Sequence, residues 1–197
     1  MAITLEKNQK ISLQKKSSSL GEILINLNWN TNSGFWASFM GRKSVDLDLG
    51  CLFELKNGRK GVIQALGKHF GSLKEEPYIS LDGDDRTGSN TEGENLRVNG
   101  DKIAEIKRVL IFTFIYEGAP NWRDTDGVVT VKYPNAEDII IKMDEYNSQQ
   151  MMCAIALLEN VNDETFSVQK LVQFFAGHEA MDRAFGWNMT WKAARKD

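Results

Sequence analysis

Residues 45–55 alternate in character more strictly than any other stretch of the chain. The odd positions carry the apolar side chains Val45, Leu47, Leu49, Cys51, Phe53 and Leu55, and the even positions include Asp46, Asp48, Gly50 and Glu54. Because successive side chains of a β-strand point to opposite faces, this pattern predicts a strand with one face in a core and the other turned away from it.

Further short apolar runs, broken by polar and glycine-rich turns, are typical of an antiparallel all-β domain. They cover residues 23–29, 61–66, 78–81, 95–98, 109–117, 127–133, 138–143, 151–158 and 166–175. Helix signals are confined to residues 101–108, with an acid first and bases last, and to residues 177–185. We therefore expect one domain over residues 1–197, an antiparallel β-sandwich with one or two short helices.

Composition narrows the class of protein. The 197 residues are 42% hydrophobic and 26% charged, as in a soluble globular domain with a sizeable core. A net charge of -3 argues against a nucleic-acid partner, which would require clustered lysine and arginine. The apolar runs are far shorter than the roughly 20 residues of a membrane-spanning helix, so no transmembrane segment is expected. Without a secretory signal at residues 1–10, we expect a cytoplasmic location.

The loop from Asp82 to Glu94 concentrates carboxylates and glycines between two apolar runs. Two carboxylates about 5 Å apart repel by roughly 3 kcal/mol at an effective dielectric near 20, so such a loop needs solvent or a cation. Calcium binds six to eight oxygens from carboxylates, carbonyls and hydroxyl or amide groups, and glycines let the backbone turn its carbonyls inward. The spacing does not match an EF-hand, because Arg86, Thr87 and Gly93 occupy key positions.

Eight residues are candidate calcium ligands, and two of them are remote from the loop. They are Asp46, Asp48, Asp82, Asp84, Asp85, Gly88, Ser89 and Glu94. Asp46 and Asp48 project from one face of their strand, and a sandwich can bring them to the loop. The alternatives are a polar hairpin with solvated acids and a strand face that meets water.

Three segments resemble the tellurium-resistance TerD-type family. They are residues 45–49, residues 83–88 with the following Gly93 and Glu94, and residues 109–116. The longer phrases at residues 80–88 and 106–112 resemble its TerA branch most closely. The order and spacing of these elements cover most of the chain.

The resemblance implies a calcium-binding β-sandwich in a bacterial system of tellurite and stress resistance. It also implies that the protein assembles with other members of the family and with a membrane-embedded partner at the inner membrane surface. Here Asp85 stands where the family commonly has asparagine, and Arg86 replaces the usual apolar residue. One calcium site is therefore expected rather than two.

Catalysis is not expected from the residues present. His69 and His178 lie in no nucleophile motif and are interpreted as surface or core residues. Cys51 and Cys153 have no second Cys or His at metal spacing and are interpreted as buried, reduced thiols. We predict a non-enzymatic interaction or scaffold protein. The alternative function is a calcium-dependent peripheral membrane-binding module, in which the ion bridges loop carboxylates and anionic lipid.

Overall fold

The structure is a computed structural model, and it describes residues 2–15, 18–29, 46–82, 93–117, 122–145 and 149–192. The strands are β1 (Ala2–Thr4), β2 (Lys10–Ser12), β3 (Glu22–Asn28), β4 (Asp46–Leu55), β5 (Lys60–Ile63), β6 (Gly71–Ser72), β7 (Ile79–Leu81), β8 (Glu94–Asn99), β9 (Ile106–Glu117), β10 (Val128–Lys132), β11 (Asp138–Lys142), β12 (Met152–Val161) and β13 (Thr165–Phe175). One α-helix, α1 (His178–Phe185), and 3₁₀ helices at Leu66–Lys68, Gly100–Glu105 and Trp122–Thr125 complete the described elements.

Within the described residues these strands form two sheets. Sheet A has the order β1-β11-β10-β3-β8-β7-β6, and sheet B has the order β2-β13-β12-β9-β4-β5. The predicted sandwich-like, mostly β architecture is confirmed. One pair departs from the antiparallel expectation, because β1 runs parallel to β11. The long connection between these two strands allows that arrangement, whereas a tight hairpin would not.

Sheet B is covered on both faces. Its inner face packs against sheet A in a continuous core that includes Ile25, Leu49 and Ile111. Its outer face carries a second apolar cluster beneath α1 and the segment that follows it. The buried members of this cluster are Leu52, Leu110, Phe112, Phe114, Met152, Ala154, Leu171, Met181 and Trp187.

The outer face of β4 is also buried. The alternation of residues 45–55 is compatible with an outer face in water, yet Asp48 is only 1% exposed and Glu54 only 6%. The solvated interpretation of Asp48 is therefore wrong. The apolar cluster on this face includes Met181 and Trp187 from the C-terminal part of the chain, and the pattern within β4 does not predict them.

The remaining differences from the sequence prediction concern short or terminal elements. The helix signal at residues 101–108 corresponds to a 3₁₀ helix that ends at Glu105, and Ile106 already begins β9, where it pairs with Leu55. The short edge strands β1, β2 and β6 were not predicted. Each has two or three residues, too few for alternation to distinguish a strand from a loop.

Candidate metal site

The predicted ligands within the described residues lie at one end of the sandwich. β4 begins at Asp46, β8 begins at Glu94, and Asp82 follows directly after β7. Leu27, close to the end of β3, pairs with Glu94, which places the end of β3 there as well. The predicted ligands Asp84, Asp85, Gly88 and Ser89 lie outside the described residues.

Glu94 links the two sheets at this end. Its side chain is 4% exposed and shares the inward-facing positions of β8 with Leu96 and Val98. Its Oε2 accepts a hydrogen bond from the backbone N–H of Leu49 at 2.5 Å. Because this N–H belongs to the peptide that joins Asp48 to Leu49, a carboxylate of sheet A lies next to Asp48 of sheet B.

Asp46 and Asp48 lie at the start of β4. Asp48 is paired in register with Phe114 and is buried on the outer face of sheet B, whereas Asp46 is half-buried and opposite Glu117. Two nearly inaccessible carboxylates, Asp48 and Glu94, thus lie on either side of one peptide. Burial of negative charge is unfavourable unless the charge is compensated, and hard oxygen donors are the ligands that calcium prefers. Asp48 and Glu94 are thus oxygen donors of the type that calcium prefers.

Asp82 lies on the other side of sheet A. The Nε of Arg97 donates to both carboxylate oxygens of Asp82 at 2.8 Å, and its Nη2 donates to Oδ2 at 2.6 Å. The same guanidinium bonds Glu22. These hydrogen bonds to Asp82 and Glu22 raise the pKa of Arg97 above its ordinary value. The structure therefore places Glu94 and Asp48 at the same end of the sandwich, on opposite faces of sheet B, and holds the carboxylate of Asp82 on the outer surface of sheet A.

The other ionisable side chains in the described part of the chain do not add a compact metal cluster. No group of three or more His, Cys, Asp or Glu residues suited to a metal ion occurs among the described residues. A complete calcium shell would thus need oxygens from residues 83–92, backbone carbonyls or water in addition to Asp48 and Glu94.

Gly93 is a site residue whose role the sequence did not reveal. Its φ is +72°, and a Cβ added there would lie 2.1 Å from the carbonyl oxygen of Leu27. Only glycine combines that backbone conformation with so close an approach. Gly93 therefore fixes the path by which the chain enters β8 and turns Glu94 toward β4. A glycine directly before an inward-facing acid was the available signal.

Both cysteines are buried in the core, in environments that disfavour reactivity. Cys51 and Cys153 are fully buried, and burial raises the pKa of each thiol, which disfavours the reactive thiolate. They lie on β4 and β12 with β9 between them. Two strand spacings are about 10 Å, beyond the roughly 7 Å between Cα atoms that a disulfide can bridge.

The histidines occupy the two environments expected of them. His69 is exposed. His178 is largely buried, with its ring centroid 5.4 Å from those of Phe112 and Phe114 and its Nε2 2.7 Å from Oε1 of Gln64. Burial lowers the pKa of His178 to about 4, so it is neutral at pH 7.

Comparisons with known proteins agree with the resemblance seen in the sequence. The TerD domain profile matches residues 1–166. The chain is 46% identical over 200 residues to the tellurium resistance protein TerA of Alcaligenes sp, covering 100% of this chain and 58% of the relative. It is 30% identical over 129 residues to the stress response protein SCP2 of Bacillus subtilis strain 168, covering 59% and 62% of the two chains. The chain thus spans about three fifths of the length of these relatives.

Solved structures share the fold. A crystal structure of a TerD homologue from Streptomyces coelicolor A3(2) superposes with a TM-score of 0.60 at 17% identity. The superposition covers 83% of this chain and 95% of that one. Among the described residues, no helix is both long enough and apolar enough to cross a membrane.

Proposed function

The chain belongs to the TerD-domain family of tellurium-resistance and stress-response proteins, and from that premise we propose that it is a calcium-binding interaction protein without catalytic activity. The observation that carries this proposal is the presence of two buried carboxylates, one in each sheet, at the same end of the sandwich. Glu94 bonds the peptide between Asp48 and Leu49, while Glu94 and Asp48 are 4% and 1% exposed.

Calcium would be held by Asp48 and Glu94, with Asp46 half-buried at the same end of β4. Asp84, Asp85, Gly88 and Ser89 are the further ligands that the sequence proposes. A bound ion supplies positive charge that the carboxylates share, so it stabilises the contact between the two sheets. Calcium would then order the surface at this end of the sandwich for recognition by a partner.

A scaffold role is supported by what the described ionisable residues do. The two thiols are buried with raised pKa values, and His178 is neutral and packed among aromatic rings. These environments suit structural residues better than nucleophiles or general bases. We propose other TerD-domain proteins and a membrane-embedded protein as partners, with the chain in the cytoplasm at the inner membrane surface.

Calorimetric titration of chelator-treated protein with calcium, and separately with magnesium, tests the metal. We expect saturable binding of calcium in preference to magnesium. At calcium one hundred times the dissociation constant, binding adds about 2.7 kcal/mol of stability. For a chain of this size, the melting temperature then rises by about 5 to 10 °C.

The double substitution Asp84→Ala with Asp85→Ala should abolish this melting shift. A matched control is Glu75→Ala with Glu164→Ala, which changes the net charge equally at two exposed positions. The control should keep the full shift. Retention of the shift by the Asp84, Asp85 variant would contradict the ligand assignment, and absence of heat with wild-type protein would contradict calcium binding.

A further inference from the structure

The edge of sheet B at β5 borders a cavity that the calcium site does not use. The cavity has a volume of about 670 Å³, within the range of ligand sites. Lys60, Gly61 and Val62 of β5 form one wall. The edge of sheet A at Gly71–Ser72 and the C-terminal segment at residues 189–191 form the others. None of the predicted calcium ligands in the described segments lines it.

The register of β5 leaves its outer backbone edge open toward this cavity. Among the described residues, β5 is the last strand of sheet B and pairs with no strand other than β4. The N–H of Leu55 bonds the carbonyl of Arg59, so Arg59, Gly61 and Ile63 direct their polar backbone groups to β4. The N–H and C=O groups of Lys60 and Val62 therefore point away from β4.

The backbone groups at the end of β5 continue this alternation. The N–H of Gln64 points outward and bonds the carbonyl of His69 at 2.9 Å. The chain therefore closes the edge beyond Val62 with its own backbone. Within the part of the chain that the structure describes, a short stretch at Lys60 and Val62 stays open, and an extended segment could add there as a further strand.

The side chains around this edge favour an acidic segment with apolar residues. The lining contains Arg59, Lys60 and His69 but one acid, Glu76, in a protein of net charge -3. Arg59 already pairs with Glu76 at 3.0 Å. Lys60 donates its Nζ to the carbonyl of Trp187 at 2.8 Å, a neutral group that leaves the ammonium charge uncancelled.

Apolar side chains supply the other half of the recognition chemistry. Phe53, Val62, Met189 and Trp191 line the same cavity. Lys60 and Val62 lie on the same face of β5, where Met189 and Trp191 also pack, whereas Phe53 lies beside Gly61 on the other face. Because side chains of an added strand alternate between two faces, its acidic positions would share the face of Lys60, and the intervening apolar positions would share the face of Phe53.

We propose that β5 and this cavity bind an extended acidic peptide segment of a partner protein by strand addition. The backbone of Lys60 and Val62 pairs with the segment, the Lys60 ammonium selects its carboxylates, and Phe53 on the other face contacts its apolar side chains. This site supplies a partner surface that is separate from the calcium ligands.

The test uses an acetylated, amidated peptide of alternating glutamate and valine, six residues long, with a fluorescent label at one end. Binding to the full chain is followed by fluorescence polarisation. We expect saturation below 1 mM peptide. The same peptide with lysine in place of glutamate should bind at least tenfold more weakly, as should one with a central proline, which cannot pair as a strand.

Val62→Pro is the decisive variant. Proline removes the outward N–H without touching the ladder between β4 and β5, and the preceding Gly61 has no Cβ to clash with the ring. We expect peptide affinity to fall about tenfold, whereas Val62→Ile, which keeps the N–H, stays within twofold. A melting temperature close to that of wild type shows that the variant is folded.

If Val62→Pro fails to fold, exchange of the Val62 amide hydrogen in wild-type protein replaces it, and bound peptide should slow that exchange at least tenfold. Equal binding of the glutamate and lysine peptides, unchanged affinity in Val62→Pro, unaltered exchange, or no saturation would each overturn the proposal. The measurements are made in chelator, so failure of the calcium proposal leaves their outcome unaffected.

Discussion

Asp82 and Glu94 flank the same acidic segment, yet the structure gives their carboxylates opposite environments. Asp82 lies on the outer surface of sheet A against the guanidinium of Arg97. Glu94 lies inside, between the sheets, where the backbone N–H of Leu49 donates to it. Proximity in sequence did not place these two acids in one site.

The difference follows from the register of β7 and β8 and from the alternation of side chains between the two faces of their sheet. Leu81 is paired with Leu96, and both are buried in the core between the sheets. Asp82, one position after Leu81, therefore faces outward, while Glu94, two positions before Leu96, faces inward. The alternation of side chains along the two strands thus places Asp82 in an ion pair on the surface and Glu94 in the interior. The buried carboxylate of Glu94 is the better candidate for a metal ligand.

Removal of the Glu94 carboxylate should have the largest effect on stability. Glu94→Ala deletes the acceptor for a buried N–H and should lower the free energy of unfolding by about 2 to 4 kcal/mol. Urea denaturation of wild type and variant in the presence of chelator measures this loss in the free energy of unfolding. Glu94→Gln keeps an acceptor oxygen and should cost less than about 1 kcal/mol. A loss in Glu94→Ala no larger than that in Asp82→Ala would remove the contrast between the two regions.

Glu54 differs from both of these acids, because it is buried and also has cationic partners. Its oxygens accept hydrogen bonds from Lys107 Nζ at 2.7 Å and Arg108 Nε at 2.6 Å. Burial acts to raise the pKa of this carboxyl, but the hydrogen bonds and charges of Lys107 and Arg108 outweigh it and hold the pKa below its ordinary value near 4.5.

We expect Glu54→Gln to lower the free energy of unfolding by about 2 kcal/mol at pH 7. Since the pKa is lower in the folded state, the stabilisation is present above the unfolded pKa and is lost as pH falls through the folded one. The difference between wild type and variant should therefore shrink below about pH 4. Denaturation at pH 7, 5 and 3 checks this, and a difference independent of pH would show that packing, and not charge, is responsible.

Asp48 tests whether the inner region binds the ion. Asp48→Asn keeps the size of the side chain and removes one negative charge, so calcium affinity should fall about tenfold, equivalent to about 1.4 kcal/mol. Calorimetry on chelator-treated protein gives the dissociation constant. Affinity within twofold of wild type would exclude Asp48 as a ligand.

Asp82→Asn should have the smallest effect. An ion pair with side chains 32% and 39% exposed contributes about 0 to 1 kcal/mol to stability. Calcium affinity should change by less than twofold, because Arg97 holds this carboxylate on the outer surface. A tenfold loss of affinity, measured by the same calorimetry, would show that Asp82 turns to the ion and would erase the distinction drawn here.

The parts of the fold predicted from sequence are those with long local patterns. The strands β4 and β9 have ten or more residues and lie close to their predicted bounds. The edge strands β1 and β2 were missed, since their three residues are stabilised by pairing with β11 and β13 and carry no pattern of their own. The C-terminal helix was predicted, but its position over sheet B was not.

For the candidate site, the sequence supplied the residue types and the structure supplied their partners. Asp48 and Glu94 were both proposed as ligands, and calcium binding itself stays a prediction. The bond from Leu49 N–H to Glu94 joins residues 45 positions apart. Such contacts depend on how two sheets stack, which periodicity within either strand does not encode.

By itself, the sequence determined where the longer strands lie and where acids are concentrated, because alternation and turn residues act over a few neighbouring positions. Only the tertiary structure decided which carboxylates are buried, which one meets a guanidinium, and that α1 packs on the outer face of sheet B. Those outcomes depend on pairing parity and on surfaces contributed by distant segments, and burial turns an ordinary acid into one whose charge must be compensated.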